Sequence, residues 1–193
     1  MKRKEDLRVR KTKLNLYNGL LKLMEEKPFE DIKVTDICNK ALVNRSTFYD
    51  HFNDKYELFE SYVVYVGKLC YERVSISVDS KDSINELFIE YMKILLDEID
   101  SNFDQYKVIF INNYNSYINK SLVDIFTKSI MSKLEEDFKF NDLSIVKLGV
   151  YFYVSGAISM IEYGFYNNLP FDKEKILGLF NKIIPKFDNN NRK

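Results

Sequence analysis

Between Pro28 and Lys55 the sequence leaves room for little except two short helices locked at an angle. Val34, Ile37, Cys38 and Ala41 share one face of a helix of about seven residues, for which Thr35 is the expected N-cap. Leu42, Val43 and Asn44 then intervene, and Asn44 is a competent N-cap for a further helix, Arg45 to Phe52, with Phe48 and Phe52 facing inward. Ahead of this pair, Leu14, Tyr17, Leu20, Leu21 and Met24 mark one face of a first helix from about Asp6 to Glu26, which Pro28 stops. Two short helices joined by a three-residue turn and packed on a longer one are the arrangement that offers its second helix to the major groove of DNA.

The rest of the chain is helical by the same reasoning. Only six Gly and three Pro punctuate 193 residues, too few for the many tight turns of a β-rich fold, so the expected class is all-α. Leu58, Phe59, Tyr62, Val63, Val66, Leu69, Cys70 and Val74 predict a long helix ending near Ser77. Ser83 is placed to cap the next, which carries Ile84 to Ile99. A short aromatic helix from Phe103 to Ile111, a polar stretch from Asn112 to Asn115, a helix through Ile118 and Phe138, and two closing helices, Asp142 to Tyr166 and Asp172 to about Phe187, bring the total to about nine. The expected organisation is a helix-turn-helix domain over 1–55, a larger helical domain over 56–188 and a polar tail over 189–193.

Charge divides along the same boundary. Residues 1–55 carry 13 basic and 9 acidic side chains, the remainder 16 and 20. Seven of the basic ones fall in the first 13 residues, Lys2, Arg3, Lys4, Arg8, Arg10, Lys11 and Lys13, an end suited to a polyanion. Cys38 and Cys70 have no His or Cys at ligand spacing, so core thiols are expected and no metal or cofactor. With one histidine, His51, no glycine-rich phosphate loop and no recognisable carboxylate pair, catalysis is not expected. The longest uncharged run, Leu148 to Ile161, is shorter than a bilayer span, and no signal segment follows the basic N-terminus, so a cytoplasmic protein is expected.

The outward side of the helix beginning at Arg45 holds Arg45, Ser46, Thr47, Tyr49 and His51, all able to hydrogen-bond to phosphates or base edges. Lys55 follows where the next helix begins, where its ammonium and the helix amides could both face a phosphate. Residues 10–59 resemble the DNA-binding domain of TetR/AcrR transcriptional regulators. The resemblance lies in Lys27-Pro28-Phe29-Glu30-Asp31-Ile32, in Val34-Thr35-Asp36-Ile37-Cys38, and in Asn44-Arg45-Ser46-Thr47-Phe48-Tyr49-Asp50-His51-Phe52 running into Asp54-Lys55. It implies that Thr35 contacts phosphate and that Arg45 and Thr47 read bases. It further implies that Tyr49, His51 and Lys55 bind backbone phosphates and that Ser46 does either, with Asn44 counted in the same set. Leu42 departs from the pattern, standing where the family usually has Gly. A leucine at positive φ is costly, so this turn is expected to take another conformation. Asn44 stands where Ser is common, and Asp50 places a carboxylate on the reading helix.

The larger domain is aromatic, and Tyr supplies apolar area with a polar tip. A pocket for a small, mostly apolar effector is expected there, as the resemblance implies, with Tyr65, Leu69, Tyr91, Leu95, Tyr106, Phe110, Phe126, Tyr151 and Ser155 as candidate lining residues. Leu148 to Ile161 is apolar all round and must be buried all round. A homodimer is therefore expected through a four-helix bundle of the last two helices, with Gly149, Phe152, Gly156, Ser159, Tyr163, Ile176, Phe180 and Ile183 at the interface. The resulting expectation is a regulator, most simply a repressor, that binds a palindromic operator as a homodimer and is released by an effector. The alternative is a helical adaptor on the same scaffold that acts through protein contacts, its DNA affinity lost through Leu42 and Asp50.

Overall fold

A computed structural model describes residues 7–77, 84–113, 117–140 and 142–183. Nine α-helices make up these residues: α1 (Leu7–Glu26), α2 (Val34–Ala41), α3 (Arg45–Tyr49), α4 (Lys55–Ser77), α5 (Ile84–Ser101), α6 (Phe103–Asn112), α7 (Tyr117–Asp137), α8 (Leu143–Tyr166) and α9 (Lys173–Ile183). The all-α expectation stands. Lys2, Arg3, Lys4, the Ser83 cap and the tail over 189–193 lie outside the described residues.

The first three helices close around Phe29, Phe48, Leu16, Leu20 and Ile37, all fully buried. One close approach depends on a missing side chain: a Cβ on Gly19 would stand 3.0 Å from the Ala41 Cβ and 3.1 Å from its backbone nitrogen, so α1 meets the end of α2 only because position 19 is glycine. Between Pro28 and Lys33 the chain makes a 3₁₀ turn, Phe29–Asp31, which the sequence reading did not include.

Local starts and stops differ from expectation in three places. Helix α2 begins one residue before Thr35, with Lys33 in the N-cap position, so Thr35 is inside the first turn and caps nothing. The work is done instead by Asp36, whose carboxylate accepts the Lys33 N–H at 3.2 Å and the Lys27 ammonium at 2.7 Å. The Lys27 hydrogen bond, with the Lys33 N–H behind it, holds the Asp36 carboxyl below the usual carboxylate range. Helix α3 is also shorter than expected, five residues followed by a turn in which Asp50 and Phe52 N–H groups bond to Ser46 and Phe48 carbonyls.

The third difference is the turn itself. Leu42 takes the left-handed conformation outright, φ 56° and ψ 42°, so the expectation of another turn geometry is corrected. Its N–H bonds to the Asn39 carbonyl at 3.3 Å, and the Val43 N–H reaches the Cys38 carbonyl at 3.0 Å. That pair of bonds is the Schellman closure of a helix, which needs a left-handed residue after the C-cap whatever its side chain. The strain is tolerated because the isobutyl group is 92% exposed and clashes with nothing.

Helix α4 leads from the small module into the rest, where it packs on α5 and α7, α5 on α9, and α8 on α7 and α6, while α1 packs on α6 as well. At the far end, Lys173 at the start of α9 fastens to Asp97 at 2.9 Å and Asp100 at 3.0 Å on α5. Helix α8 starts cleanly, the Asp142 carboxylate accepting the Ser144 and Ile145 N–H groups. Its 24 residues are long and apolar enough to cross a membrane by length and composition, a test that the buried or paired helix of a globular protein also passes.

Candidate functional site

The face of the module away from the core carries most of the expected DNA-contacting side chains. Arg45, Ser46 and Tyr49 are exposed on α3, Thr47 and His51 half-buried beside them, and Asn44 exposed at its start. Asn44 occupies the N-cap backbone position, yet its amide makes no capping hydrogen bond, which leaves it facing outward and corrects the capping role expected of it. Tyr49 leans edge-on against Phe48 at 5.4 Å between centroids while remaining half exposed. Phe48 and Phe52 are buried in the core, while 45, 46 and 49 are exposed.

Lys55 is placed differently from expectation. Its ammonium turns back into the module and donates to the Phe29 carbonyl at 2.8 Å and the Glu30 carbonyl at 2.7 Å, and it lies 4.9 Å above the Phe29 ring. Burial lowers the pKa of this lysine, opposed by the Glu30 and Asp31 carboxylates. The start of α4 is likewise occupied by the chain's own acid, for the Asp54 carboxylate accepts the Glu57 N–H at 2.9 Å and the Glu57 carboxylate takes the Asn53 N–H at 2.7 Å. Two of the ammonium's three donors are thus spent on the fold, and Lys55 fastens the 3₁₀ turn to α4.

An apolar cavity of ≈ 70 Å³ lies between α1 and the helices of the larger domain. Leu95, Tyr106, Phe110 and Phe126 line it as expected, joined by Leu21 and Met24 of α1, Phe59, Tyr62 and Val66 of α4, and Ile158 and Ile161 of α8. Tyr91 instead lines an adjoining void of ≈ 30 Å³ with Cys70 and Met92, where burial pushes the Cys70 thiol up to about 11. Tyr65, Leu69, Tyr151 and Ser155 line neither. Tyr65 lies against Tyr17 at 5.7 Å, Leu69 and Tyr151 are partly exposed, and Ser155 keeps a buried hydroxyl elsewhere.

Asn113, which the sequence reading assigned to a polar connection, belongs to this wall. Asn113 is buried, its Oδ1 accepting the Phe29 N–H at 2.8 Å and its Nδ2 donating to the Ile109 carbonyl at 2.7 Å. Asn112 beside it donates to the Met24 and Glu25 carbonyls, both at 3.1 Å, and so caps the end of α1 from α6. Asn119 on α7 is the second wall amide; its Nδ2 donates to the carboxylate of the buried Glu162 on α8. Only the local pattern Asn112-Asn113 hints at a capping role, and nothing in the sequence marks Asn119.

On the outer surface, α8 shows two faces. Val150, Val154, Ala157, Ile158, Ile161 and Phe165 are buried, while Ile145, Leu148, Phe152, Gly156, Ser159 and Tyr163 form an exposed stripe. Within one chain, therefore, the segment expected to be buried all round is buried on one side. Ile183 extends the stripe from α9 and Gly149 borders it. Phe180 is corrected: it is 7% exposed and belongs to its own chain's core, and Ile176 is half-buried against Met160 and Phe171. Among the described residues no group of three or more His, Cys, Asp or Glu could hold a metal ion.

The first three helices and their exposed face have the helix-turn-helix arrangement. Residues 16–62 match the bacterial regulatory proteins of the tetR family. It is similar to a TetR transcriptional regulator from Streptococcus agalactiae 2603V, at 20% identity and TM-score 0.61, with 91% of this chain and 94% of that one covered. The fatty acid degradation regulator FadR from Bacillus halodurans is similar at 12% identity and TM-score 0.63, over 94% and 96% of the two chains. The repressor AlkX from Dietzia sp. strain DQ12-45-1b, implicated in biodegradation of n-alkanes, is similar at 18% identity and TM-score 0.58, over 89% and 92%. Identities this low speak for the fold alone. No curated protein matches the sequence.

Proposed function

We propose that the chain is a repressor that binds a palindromic operator as a homodimer and lets go of it when a small apolar effector enters the larger domain. The observation that carries this reading is the outward arc of α3, where Arg45, Ser46 and Tyr49 stand exposed over a fully buried Phe48. On this reading Arg45 and Thr47 read bases, and Ser46, Tyr49, His51, Thr35 and Asn44 contact the backbone. Lys55 instead orders the module. The exposed stripe of α8 supports pairing of two copies, because a contiguous apolar face of this kind calls for a partner. Two copies would set their α3 helices about 34 to 36 Å apart, one turn of duplex. The apolar cavity supports the effector, and the fatty acid degradation regulator and the n-alkane repressor among the similar structures agree with an aliphatic body.

The adaptor alternative rested partly on Leu42, and the turn keeps its geometry despite that residue. Selection of bound duplexes from random DNA tests the reading. Recovery of a two-fold symmetric site with half-sites about 10 to 10.5 bp apart, or a multiple of that spacing, is expected. Recovery of no preferred sequence at physiological salt overturns it.

A further inference from the structure

The polar groups of the apolar cavity restrict what could enter it, and this step rests on the ligand-responsive reading above. Every residue lining the cavity is uncharged, so no Lys or Arg among them offers an anion a counter-charge. Most of its polarity is already used up. Asn113 spends its carbonyl on Phe29 and its amino group on Ile109, and the Tyr62 and Tyr106 hydroxyls face one another at 3.4 Å, both kept protonated by burial. Asn119 differs. Glu162 behind it accepts from Nδ2, which fixes the amide with Oδ1 turned the other way, and that oxygen is buried with no hydrogen-bond partner. An unpaired buried carbonyl in an otherwise apolar wall is a standing cost that a donor removes and another acceptor aggravates. The same Glu162 carboxylate, 5% exposed, puts negative charge one residue behind the wall, where weak screening makes it felt.

We propose that this cavity takes an apolar molecule whose polar end is a hydrogen-bond donor, a hydroxyl or a protonated amine set on Asn119 Oδ1, and that it rejects carboxylates. The ligand is thereby separated from fatty acids, which share the apolar body but bring the wrong charge. At ≈ 70 Å³ the cavity is small beside ligand pockets of about 300 Å³ or more, so the probes of choice are short.

Four six-carbon compounds serve as probes: 1-hexanol, its isomer pentyl methyl ether, hexylammonium and hexanoate. Their dissociation constants are read by ligand-observed NMR on the full chain at pH 7.5. Hexanol and hexylammonium are expected to bind, the ether about tenfold more weakly than hexanol for want of a donor, and hexanoate not detectably. Asn119→Leu should bring the alcohol-to-ether ratio to about one. Glu162→Gln, which keeps an acceptor for the Asn119 amino group, should weaken hexylammonium and spare hexanol. Equal binding of alcohol and ether, hexanoate binding as tightly as hexanol, or no binding by any of the four overturns the proposal. Should Asn119→Leu fail to fold, the ratio on the unaltered chain decides. Duplex binding is assayed apart, so loss of the regulator reading with hexanol binding intact leaves the cavity's selectivity standing.

Discussion

Leu42→Gly is expected to stabilise the protein, a sign opposite to that of most changes. Leu42 sits at φ 56°, where a side chain with a Cβ costs roughly 1 to 2 kcal/mol, and glycine removes that cost. Against this, glycine gains freedom in the unfolded chain, worth about 0.4 to 1 kcal/mol. Burial contributes almost nothing to the balance, since Leu42 is 92% exposed. The net is about 0.5 to 1 kcal/mol of added stability, or roughly 1 to 4 °C in Tm for a chain of this size. Leu42→Ala is the internal control: it keeps a Cβ, so its change should stay within about 0.5 kcal/mol. Urea titration of the three proteins, with thermal unfolding alongside, measures all of this. If Gly lowers stability, or Ala raises it as far as Gly does, the strain argument is wrong.

Asn113→Ala should cost about 1 to 3 kcal/mol, because it orphans the buried Phe29 N–H; the loss is read from the urea midpoint, and an unchanged midpoint contradicts the pairing. Lys55→Ala, by removing the donor to two carbonyls, should lower stability by a similar about 1 to 3 kcal/mol and leave the log-log salt slope of duplex binding almost unaltered. A slope that falls by about 1 per subunit with no loss of Tm would make Lys55 a phosphate contact instead. A Cβ at Gly156 would meet nothing within 4 Å in the single chain, so Gly156→Asp is expected to leave the fold intact and split the proposed dimer in sedimentation; a dimer that survives places the interface elsewhere.

Helix number and most boundaries were legible because nearly every helix has one apolar arc repeating at three and four, and that spacing survives whatever the neighbours are. The reading helix was legible for the further reason that Phe48 and Phe52 fix its inside. What period cannot supply is which neighbour an arc meets. Tyr62, Tyr65 and Leu69 all belong to the apolar run of α4, yet only Tyr62 faces the cavity, while Tyr65 turns to Tyr17. Phe180 and Ile183 are both apolar residues of α9, and packing against α5 decides that one is core and the other surface. The misplaced cap has a similar cause: Thr35 has the right chemistry, but the acid at Asp36, three residues past Lys33, sets where α2 starts. The inward turn of Lys55 depends on carbonyls 25 and 26 positions away, a distance no local pattern reports.

The paired asparagines at the end of α6 carry a mechanical implication. Asn112 grips the last turn of α1 and Asn113 grips the first residue beyond Pro28, while Lys55 holds the same short stretch from its opposite flank. Asn113 is also part of the cavity wall. On the ligand-responsive reading, a guest that shoulders α6 aside would therefore pull on the root of the reading head through both asparagines at once.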